Sequence, residues 1–501
     1  MTEKYDLFEI REKAETAPTA VFRNKGREVK VEGFQVSKDE YAIRFMPETE
    51  GKWEYSAVFD SAEKNGEFFC VPNTGNNHGK IVVEGFGFRY ADGTDYFPVG
   101  TTCYAWTHQS PDLIEQTLKT LETAPFNKIR MCVFPKHMPY NNNDPELYPF
   151  LKNGDGKWDV NRPNFIYWAN LEKNITRLAE LGIEADLILF HPYDRWGFSR
   201  MSMEENLSYL DYCIRRLSAF RNIWWSLANE FDLVTARSAD DWDLFGEKLY
   251  KEDMYNHPIS IHNFVHMYPK KRWMTHVSAQ NDECKYVKQW RNTYRLPVIM
   301  EEFGYEGNIE SNWGNLSGFE LMNRAWTAVA CGGFVTHGET FDREDEILWW
   351  AKGGKLYGES PGRFAFLKDI QYEIGNLCPP ERKMPTNPNA DPSKPQEESD
   401  MARSLRVIMA LPDAERNAFM LKVTPVIGRN PNYMLQFLGR NRPSVMTVRL
   451  PENGEYRIEI IDIWDMVRTE VVNAGRGNVS IKLPGKEGIA ILVTRLSGEN
   501  L

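Results

Sequence analysis

The sequence contains no run of about 18 apolar residues, so we do not expect a membrane-spanning helix. It also lacks any Cys-x-x-Cys pair, and its seven cysteines are an odd number scattered along the chain. Cys103, Cys132, Cys213 and Cys331 each lie in apolar surroundings, where a buried free thiol is the expected state. These absences argue against a disulfide framework and favour a reducing compartment.

The first residues, MTEKYDLFEIREKAE, include no apolar stretch that resembles a signal peptide, and we therefore expect a cytoplasmic protein. A formal net charge of −11 argues against a nucleic acid or an anionic membrane as partner. Aromatic residues are plentiful by contrast, with 15 tryptophans in the chain. Most of these should pack in cores, and the functional alternative is stacking on sugar rings or bases.

At 501 residues the chain should form two to four domains. Residues 1–85 contain short segments of alternating polarity, such as KWEYSAVF, which predict an N-terminal β-sandwich. Residues 86–375 alternate strand-like segments with amphipathic helices. Residues 376–402 are rich in proline, asparagine and charge and predict a linker. Residues 403–501, beginning with SLRVIMAL and AFMLKVTP, predict a C-terminal β-sandwich.

The central segment contains eight strand-like segments separated by helical patterns. They are 96–104, 126–134, 184–190, 222–229, 258–263, 273–278, 297–302 and 333–338. Repeated β-then-α units predict an α/β fold of the (β/α)₈ TIM-barrel type, flanked by the two β-sandwiches. A doubly wound open sheet is the alternative, but no GxGxxG or GxxxxGK[ST] phosphate-binding loop follows any of these strands.

Polar residues collect at the ends of these strands, which is where a barrel carries its chemistry. They are Thr101, Thr102, Arg130, His191, Asn229, Glu230, His262, Asn263, His276, Glu301, Glu302, His337 and Glu339. The stability of the barrel does not require so many polar residues at the strand ends, which indicates a functional site. A single histidine at a strand end, however, is more often a structural residue whose ring nitrogens are hydrogen-bonded within the protein.

The carboxylates of Glu230 and Glu302 form the most informative pair in this set. Strands four and seven of a barrel can bring two carboxyl groups to about 5 to 5.5 Å, the separation that a retaining glycosidase needs. Asn229, immediately before Glu230, suits a donor to the 2-hydroxyl of a sugar. The pair therefore predicts hydrolysis of a glycosidic bond.

The strand ends also resemble those of clan A glycoside hydrolases, which are retaining enzymes on (β/α)₈ barrels. NIWWSLANE is similar to the clan's strand-four pattern, PVIMEEFGYEG to strand seven, FNKIRM to strand two and ADLILFHP to strand three. More narrowly, YFPVGTTCYAW, ISIHNF, WMTHVSAQ, EEFGYEGNIESNWGN and THGET resemble a bacterial branch related to apiosidase-like glycosidases. In that branch a short sandwich precedes the catalytic barrel and a β-domain follows it.

The resemblance implies that Glu230 is the acid/base and Glu302 the nucleophile, since the clan's nucleophile directly precedes an aromatic-glycine pair. Arg130 would support the nucleophile, and His191 would line the sugar site. We expect Arg130 to keep Glu302 ionised. Apolar neighbours and the nearby anion should raise the pKa of Glu230. Strand alternation should turn Glu301 away from the barrel axis, toward a structural partner.

The other polar residues near the strand ends are weaker candidates for binding the sugar hydroxyls. They are His191, His262, Asn263, His276, Tyr305, His337 and Glu339. Tyr305 could also donate to the nucleophile, with a packed loop aromatic as the alternative. Trp106 and Trp313 are candidate stacking platforms, and loop core is the alternative for each.

These patterns together predict a cytoplasmic glycoside hydrolase that acts by double displacement on short imported oligosaccharides, with exo action favoured. No cofactor, nucleic acid or membrane partner is expected, and the oligomeric state stays open. One alternative is a non-catalytic carbohydrate-binding protein. Another is a metal-dependent hydrolase or isomerase built on His337 and Glu339 or on His262 and His266, but neither pair has an HExxH or paired-cysteine pattern.

Overall fold

The computed structural model describes residues 1–380 and 400–501. Residues 381–399, the central part of the predicted linker 376–402, lie outside the described residues. The chain divides into two compact units. The first comprises Met1–Asp282, Trp290–Met322 and Phe334–Gly375, and the second comprises Glu283–Gln289, Asn323–Gly333 and Asn376–Leu501.

The N-terminal segment folds into short, mainly antiparallel strands, as its alternating polarity predicts. They are β1 (Thr2–Glu3), β2 (Phe8–Lys13), β3 (Thr19–Asn24), β4 (Arg27–Glu32), β5 (Phe34–Gln35), β6 (Glu40–Phe45), β7 (Gly51–Phe59), β8 (Ala62–Val71), β9 (Ile81–Glu84), β10 (Gly87–Tyr90) and β11 (Asp95–Tyr96). One sheet has the order β1-β8-β7-β3-β4 and another the order β2-β6-β5, while β9 to β11 form a third. Phe22 of the first sheet stacks on Phe45 of the second at 4.3 Å within one buried core, which confirms the predicted N-terminal sandwich.

The central segment contains the strands of the barrel and several short hairpins. They are β12 (Val99–Thr102), β13 (Lys128–Cys132), β14 (Phe150–Lys152), β15 (Trp158–Pro163), β16 (Glu184–Phe190), β17 (Ile223–Ala228), β18 (Ile259–Ser260), β19 (Val277–Gln280), β20 (Val298–Glu302), β21 (Glu306–Gly307), β22 (Phe334–His337) and β23 (Glu339–Thr340). An eight-stranded sheet runs in the order β18-β17-β16-β13-β12-β22-β20-β19, and its strand pairs are parallel. A bridge between His262 and Ser278 brings its two edges together, so the sheet is a nearly closed barrel and the predicted fold class is confirmed.

Helices follow the barrel strands in the sequence. They are α1 (Pro111–Leu121), α2 (Phe165–Glu180), α3 (Met203–Leu217), α4 (Ala239–Glu252), α5 (Tyr286–Tyr294), α6 (Gly318–Ala330), α7 (Trp349–Lys352) and α8 (Ser360–Ile374). The chain marks some of their starts clearly: Ser202 and Glu205 form a capping box at the beginning of α3. Within the part of the chain that the structure describes, no helix is both long and apolar enough to cross a membrane.

A buried ion cluster joins the N-terminal sandwich to the barrel helices. Glu172 of α2 accepts from Arg44 of β6 at 2.5 and 3.0 Å, and Arg216 of α3 donates to both of its carboxylate oxygens. Arg44 is 5% exposed and Arg216 is 2% exposed, so water can replace little of this contact. Removing one partner of such a cluster leaves buried charge without compensation.

We therefore expect Glu172→Gln to lower the free energy of unfolding by about 3 kcal/mol. The measurement is urea denaturation followed by tryptophan fluorescence. Glu115→Gln is the matched control, because Glu115 also pairs with an arginine of α2, Arg177, but is about half exposed. That control should change stability by no more than about 0.5 kcal/mol. Equal effects of the two variants would contradict a stabilising role for the buried cluster.

The second unit contains a β-domain preceded by two helices. Its elements include α9 (Asp400–Met409), α10 (Asp413–Val423), β24 (Val426–Arg429), β25 (Tyr433–Phe437), β26 (Val445–Arg449), β27 (Gly454–Asp462), β28 (Val467–Gly475), β29 (Asn478–Lys482) and β30 (Ile489–Gly498). A five-stranded sheet, β24-β25-β30-β27-β28, and the pair β26-β29 contribute side chains to one core, as a C-terminal sandwich requires.

The strand prediction is wrong for SLRVIMAL and AFMLKVTP, which lie in α9 and α10. Short apolar runs do not by themselves distinguish a strand from a helix. Pro412 immediately precedes α10, and Asp413 and Glu415 lie in its first turn, where acidic side chains favour the helix dipole. This helix-start pattern outweighs the short apolar run that follows it.

Candidate active site

The carboxylates of Glu230 and Glu302 lie at the C-terminal ends of the fourth and seventh barrel strands, β17 and β20. Every residue of β17 is buried, so the strand carries Asn229 and Glu230 to the barrel mouth from within the core. Glu230 itself has a left-handed backbone, with φ of 49°, and begins a 3₁₀ turn at Phe231–Leu233. This conformation is uncommon for a residue with a side chain, and such strain concentrates at functional sites.

Glu302 is the last residue of β20 and lies opposite a register irregularity between Ala279 and Gln280 of β19. Arg130 of the second strand donates to its Oε1 at 3.1 Å, and the hydroxyl of Tyr104 donates to the same oxygen. Because two donors fix one carboxylate oxygen, the side chain is held in one orientation at the mouth.

Asn229 joins the two carboxylates through hydrogen bonds. Its Nδ2 donates to Oε2 of Glu230 at 3.3 Å. Its Oδ1 accepts from Arg130 at 2.9 Å and from Tyr104 at 3.2 Å, and both of these groups also donate to Glu302. The network therefore runs from one carboxylate to the other through Asn229.

Glu230 lies in an environment that favours its protonated form. Only 4% of the surface of Glu230 is exposed to solvent. Burial, and then the negative charge of Glu302, raise the pKa of Glu230 to about 7. The Tyr193 hydroxyl donates to its Oε2, and Gln280, with its amide nitrogen turned toward the carboxylate, donates to its Oε1 at 3.1 Å. The group can thus hold a proton or release it near neutral pH.

Two of the predicted histidines lie near this network. The Nε2 of His262 is 3.8 Å from Oε1 of Glu302, and burial lowers the pKa of His262 well below its usual value. The Nε2 of His191 lies 3.2 Å from the carbonyl oxygen of Phe134, and burial lowers its pKa to about 4. Both imidazoles are therefore neutral near pH 7, which suits hydrogen bonding to hydroxyl groups better than ion pairing.

Asn263 supports the site indirectly, through Gln280. Its amide exchanges two hydrogen bonds with the backbone of Gln280, at 3.0 and 3.2 Å. These contacts fix the residue that donates to Glu230.

Tyr305 is buried beside the nucleophile candidate, and its ring packs 5.9 Å from both Trp313 and Trp350. Its hydroxyl lies near the side chains of Glu302 and Trp350: burial is the main cause that raises the pKa of Tyr305, hydrogen bonding with Glu302 adds to the rise and hydrogen bonding with Trp350 opposes it. Within the described residues neither contact has the geometry of a regular hydrogen bond. Tyr104, from the loop after the first strand, does donate a hydrogen bond to Glu302. Trp313 is 37% exposed, so it keeps a face on which a sugar ring could stack.

Four predicted binding residues do not join the cluster. His276 precedes β19 and packs 5.1 Å from the Trp224 ring at the opposite end of the barrel, because the sixth strand begins one residue after it. His337 stacks on Phe126 at 4.6 Å, facing the helices. Glu339 accepts the backbone N–H of Gly358 at 2.8 Å, so it fixes a loop. Trp106 is fully buried and offers no face to a ligand.

The predicted orientation of Glu301 is wrong. Its carboxylate lies inside the barrel, where Lys128 of the second strand donates to it at 2.9 and 3.1 Å and Thr336 of the eighth strand also donates. Lys128 also donates to Asp186 of the third strand at 2.7 Å. Glu301 does have structural partners, as predicted, but these partners lie inside the barrel, below its mouth.

Two pairs were candidates for a metal site, His337 with Glu339 and His262 with His266. In the first pair, His337 packs on Phe126 and Glu339 binds the backbone of Gly358. Among the described residues, no group of three or more His, Cys, Asp or Glu side chains is arranged to hold a metal ion.

Sequence reasoning missed Tyr104, Lys136, Tyr193 and Gln280. Each follows or ends a barrel strand, so a rule that admitted every polar residue within about four positions of a strand end would have found them. No local pattern distinguishes them from other loop residues, because their role depends on which strands are neighbours in space.

Comparison with known families finds a match in each of the three parts of the chain. A family model described as "Apiosidase-like, catalytic domain" matches residues 84–359. Two domains of unknown function, DUF5060 and DUF5605, match residues 2–60 and 423–494. No curated protein matches the chain.

A solved structure from Bacteroides vulgatus ATCC 8482, described as a candidate glycoside hydrolase, is 34% identical over 99% of both chains, with a TM-score of 0.84. A second structure from the same organism, described as a glycoside hydrolase of family 5, is 15% identical and covers 83% of this chain and 94% of its own, with a TM-score of 0.60. At that identity the second structure shows a shared fold alone.

Proposed function

Because the chain belongs to the apiosidase-like catalytic domain family, it is a glycoside hydrolase, and we propose that it works by the retaining double displacement of clan A. Glu302 is the nucleophile and Glu230 is the acid/base in this proposal. The observation that carries it is the hydrogen-bonded path from Glu302 through Asn229 to Glu230.

In the first step Glu302 attacks the anomeric carbon, and the bond from that carbon to the leaving oxygen breaks. Glu230 gives its proton to the leaving oxygen, a role that its pKa of about 7 supports. The product is a glycosyl ester on Glu302 and a free leaving group.

In the second step water attacks the anomeric carbon and releases Glu302. Formation of the ester removes the negative charge of Glu302, which is the second cause of the raised pKa of Glu230. The pKa of Glu230 then falls, so the same residue can take the proton of the attacking water. Two inversions at one carbon leave the configuration unchanged.

Binding of the sugar is proposed for the groups around the pair. Asn229 suits the 2-hydroxyl, His262 and His191 suit other hydroxyls as neutral donors or acceptors, and Trp313 suits the apolar face of a ring. Exo action on short chains is part of this proposal.

The test is the stereochemistry of the first product. We expect one member of an aryl glycoside panel (β-galactoside, β-glucoside, β-xyloside and α-arabinofuranoside) to be hydrolysed, and proton NMR to show that the sugar is released with the anomeric configuration of the substrate. Later mutarotation gives the equilibrium mixture and serves as the internal reference. Initial release of the opposite anomer would exclude Glu302 as a covalent nucleophile.

A further inference from the structure

Lys136 is a buried cation of the active site, and no carboxylate in the described part of the chain forms an ion pair with it. It lies on the loop after the second barrel strand and is 1% exposed. Its cationic neighbours are paired, Lys128 with Glu301 and Arg130 with Glu302. Across the described residues, no hydrogen bond or ion pair links the Lys136 ammonium to an acceptor, although its backbone carbonyl accepts from Asn141 at 2.6 Å.

Three aromatic rings surround this ammonium. Its Nζ is 3.2 Å from the ring centroid of Tyr104, 4.3 Å from that of Tyr193 and 5.4 Å from that of Trp350. Ring faces stabilise a cation but do not replace the oxygen acceptors of its three N–H donors. The donors are therefore left for a group that the protein does not supply.

The position of the ammonium is next to the reacting groups. The hydroxyl of Tyr104 donates to Glu302 and the hydroxyl of Tyr193 donates to Glu230, so the cation lies between the two tyrosines that orient the two carboxylates. Burial lowers the pKa of Lys136, and the charges of Glu230 and Glu302 oppose that change and favour the cation. A substrate sugar held between the carboxylates would come within reach of this group.

The charges of the site leave Lys136 unbalanced before catalysis. Arg130 balances Glu302, and the pKa of Glu230, raised to about 7, leaves that carboxyl partly protonated near neutral pH. The ammonium is then the remaining full charge at the mouth, and an unpaired buried charge is costly unless a partner arrives. An anionic sugar would provide oxygen acceptors and the missing negative charge together.

We propose that the substrate carries a uronic acid unit and that Lys136 binds its carboxylate. This inference rests on the proposed glycosidase mechanism and names the substrate class of the same site. It makes Lys136 the residue that determines specificity for acidic over neutral sugars.

The experiment compares substrates that differ only at C6. The 4-nitrophenyl β-glucuronide and β-galacturonide are matched with the β-glucoside and β-galactoside, in which a hydroxymethyl group replaces the carboxylate. We expect kcat/KM of the wild type to be about 100-fold higher for the acidic member of the preferred pair, the size expected for one charge-assisted contact. Lys136→Met should bring this ratio close to one, and Lys136→Arg should restore part of it.

Lys152→Met is the matched control, because the Lys152 amine also lies over an aromatic ring, that of Trp158 at 4.6 Å, but its side chain is exposed. It should leave the ratio unchanged. Binding is measured separately, by the rise in melting temperature that glucuronate or galacturonate causes relative to glucose or galactose. The rise should be lost in Lys136→Met.

The outcomes separate this inference from the proposed mechanism. Hydrolysis that depends on Glu302 but shows no acidic preference overturns the role of Lys136 and leaves the mechanism standing. A ratio that stays high in Lys136→Met also overturns it. A uronate-specific rise in melting temperature that needs Lys136 supports the inference even where no aryl glycoside is hydrolysed, and the absence of that rise counts against it.

Discussion

Glu302→Gln should lower kcat by about 10⁴-fold while leaving the melting temperature within a few degrees of the wild type. The amide keeps the size of the carboxylate and its contacts with Arg130 and Tyr104, but it cannot attack the anomeric carbon. The measurement is steady-state hydrolysis of the best aryl glycoside, with thermal unfolding in parallel.

Glu301→Gln is the matched control for this variant, since the two glutamates are adjacent in the sequence. Glu301 is fully buried in the ion pair with Lys128, so its substitution should lower the free energy of unfolding by about 3 kcal/mol. Loss of activity without loss of stability in Glu302→Gln, and loss of stability in Glu301→Gln, would distinguish the nucleophile from the structural carboxylate. The reverse pattern would exchange the two assignments.

Azide gives an independent test of the nucleophile. In Glu302→Ala the space left by the side chain admits azide, which can attack the anomeric carbon directly. The expected product is a glycosyl azide of inverted configuration. A rescued product that retains the configuration would instead indicate that the missing group is the acid/base.

Glu230→Gln should reduce hydrolysis in a way that depends on the leaving group. We expect kcat/KM to fall by about 10³-fold for a substrate whose leaving group needs a proton, such as a disaccharide, and by less than about 10-fold for a 2,4-dinitrophenyl glycoside. A phenolate of low pKa leaves without protonation, so the missing acid matters little. Equal losses on both substrates would argue that Glu230 has another role.

The pH dependence follows from the same residue. The acid form of Glu230 is needed to start the reaction, and its pKa is about 7. We therefore expect kcat/KM to fall as the pH rises above about 7, and this alkaline limb to disappear in Glu230→Gln. Tyr193→Phe is the graded control: its hydrogen bond lowers the pKa of Glu230, so its loss should move the limb to higher pH. An alkaline limb that persists in Glu230→Gln would assign the titration to another group.

Much of the fold could be predicted because its signals are local. Apolar runs such as IWWSLA and VIM mark buried parallel strands, and capping residues such as Ser202 mark helix starts. Seven of the eight predicted barrel segments contain the observed strand, but the sixth is shifted: it is predicted at 273–278 and is Val277–Gln280 in the structure. The prediction failed at SLRVIMAL and AFMLKVTP, where a short apolar run suits either a strand or a helix.

The candidate site was only partly predictable, since the direction of a side chain depends on the residue at which a strand begins. A strand that starts at Val277 leaves His276 at the wrong end of the barrel. A register irregularity beside Glu302 and the left-handed backbone of Glu230 overrule the alternation that a regular strand imposes.

The sequence by itself determined the barrel, its two flanking sandwiches and the two carboxylates at the ends of strands four and seven. Each of these features depends on a pattern among residues that are neighbours in the chain. Only the tertiary structure decided that Tyr104, Tyr193, Gln280 and Lys136 meet around those carboxylates. The physical reason is barrel closure: it brings together residues that are distant in the chain, and the burial that results sets their protonation and their partners.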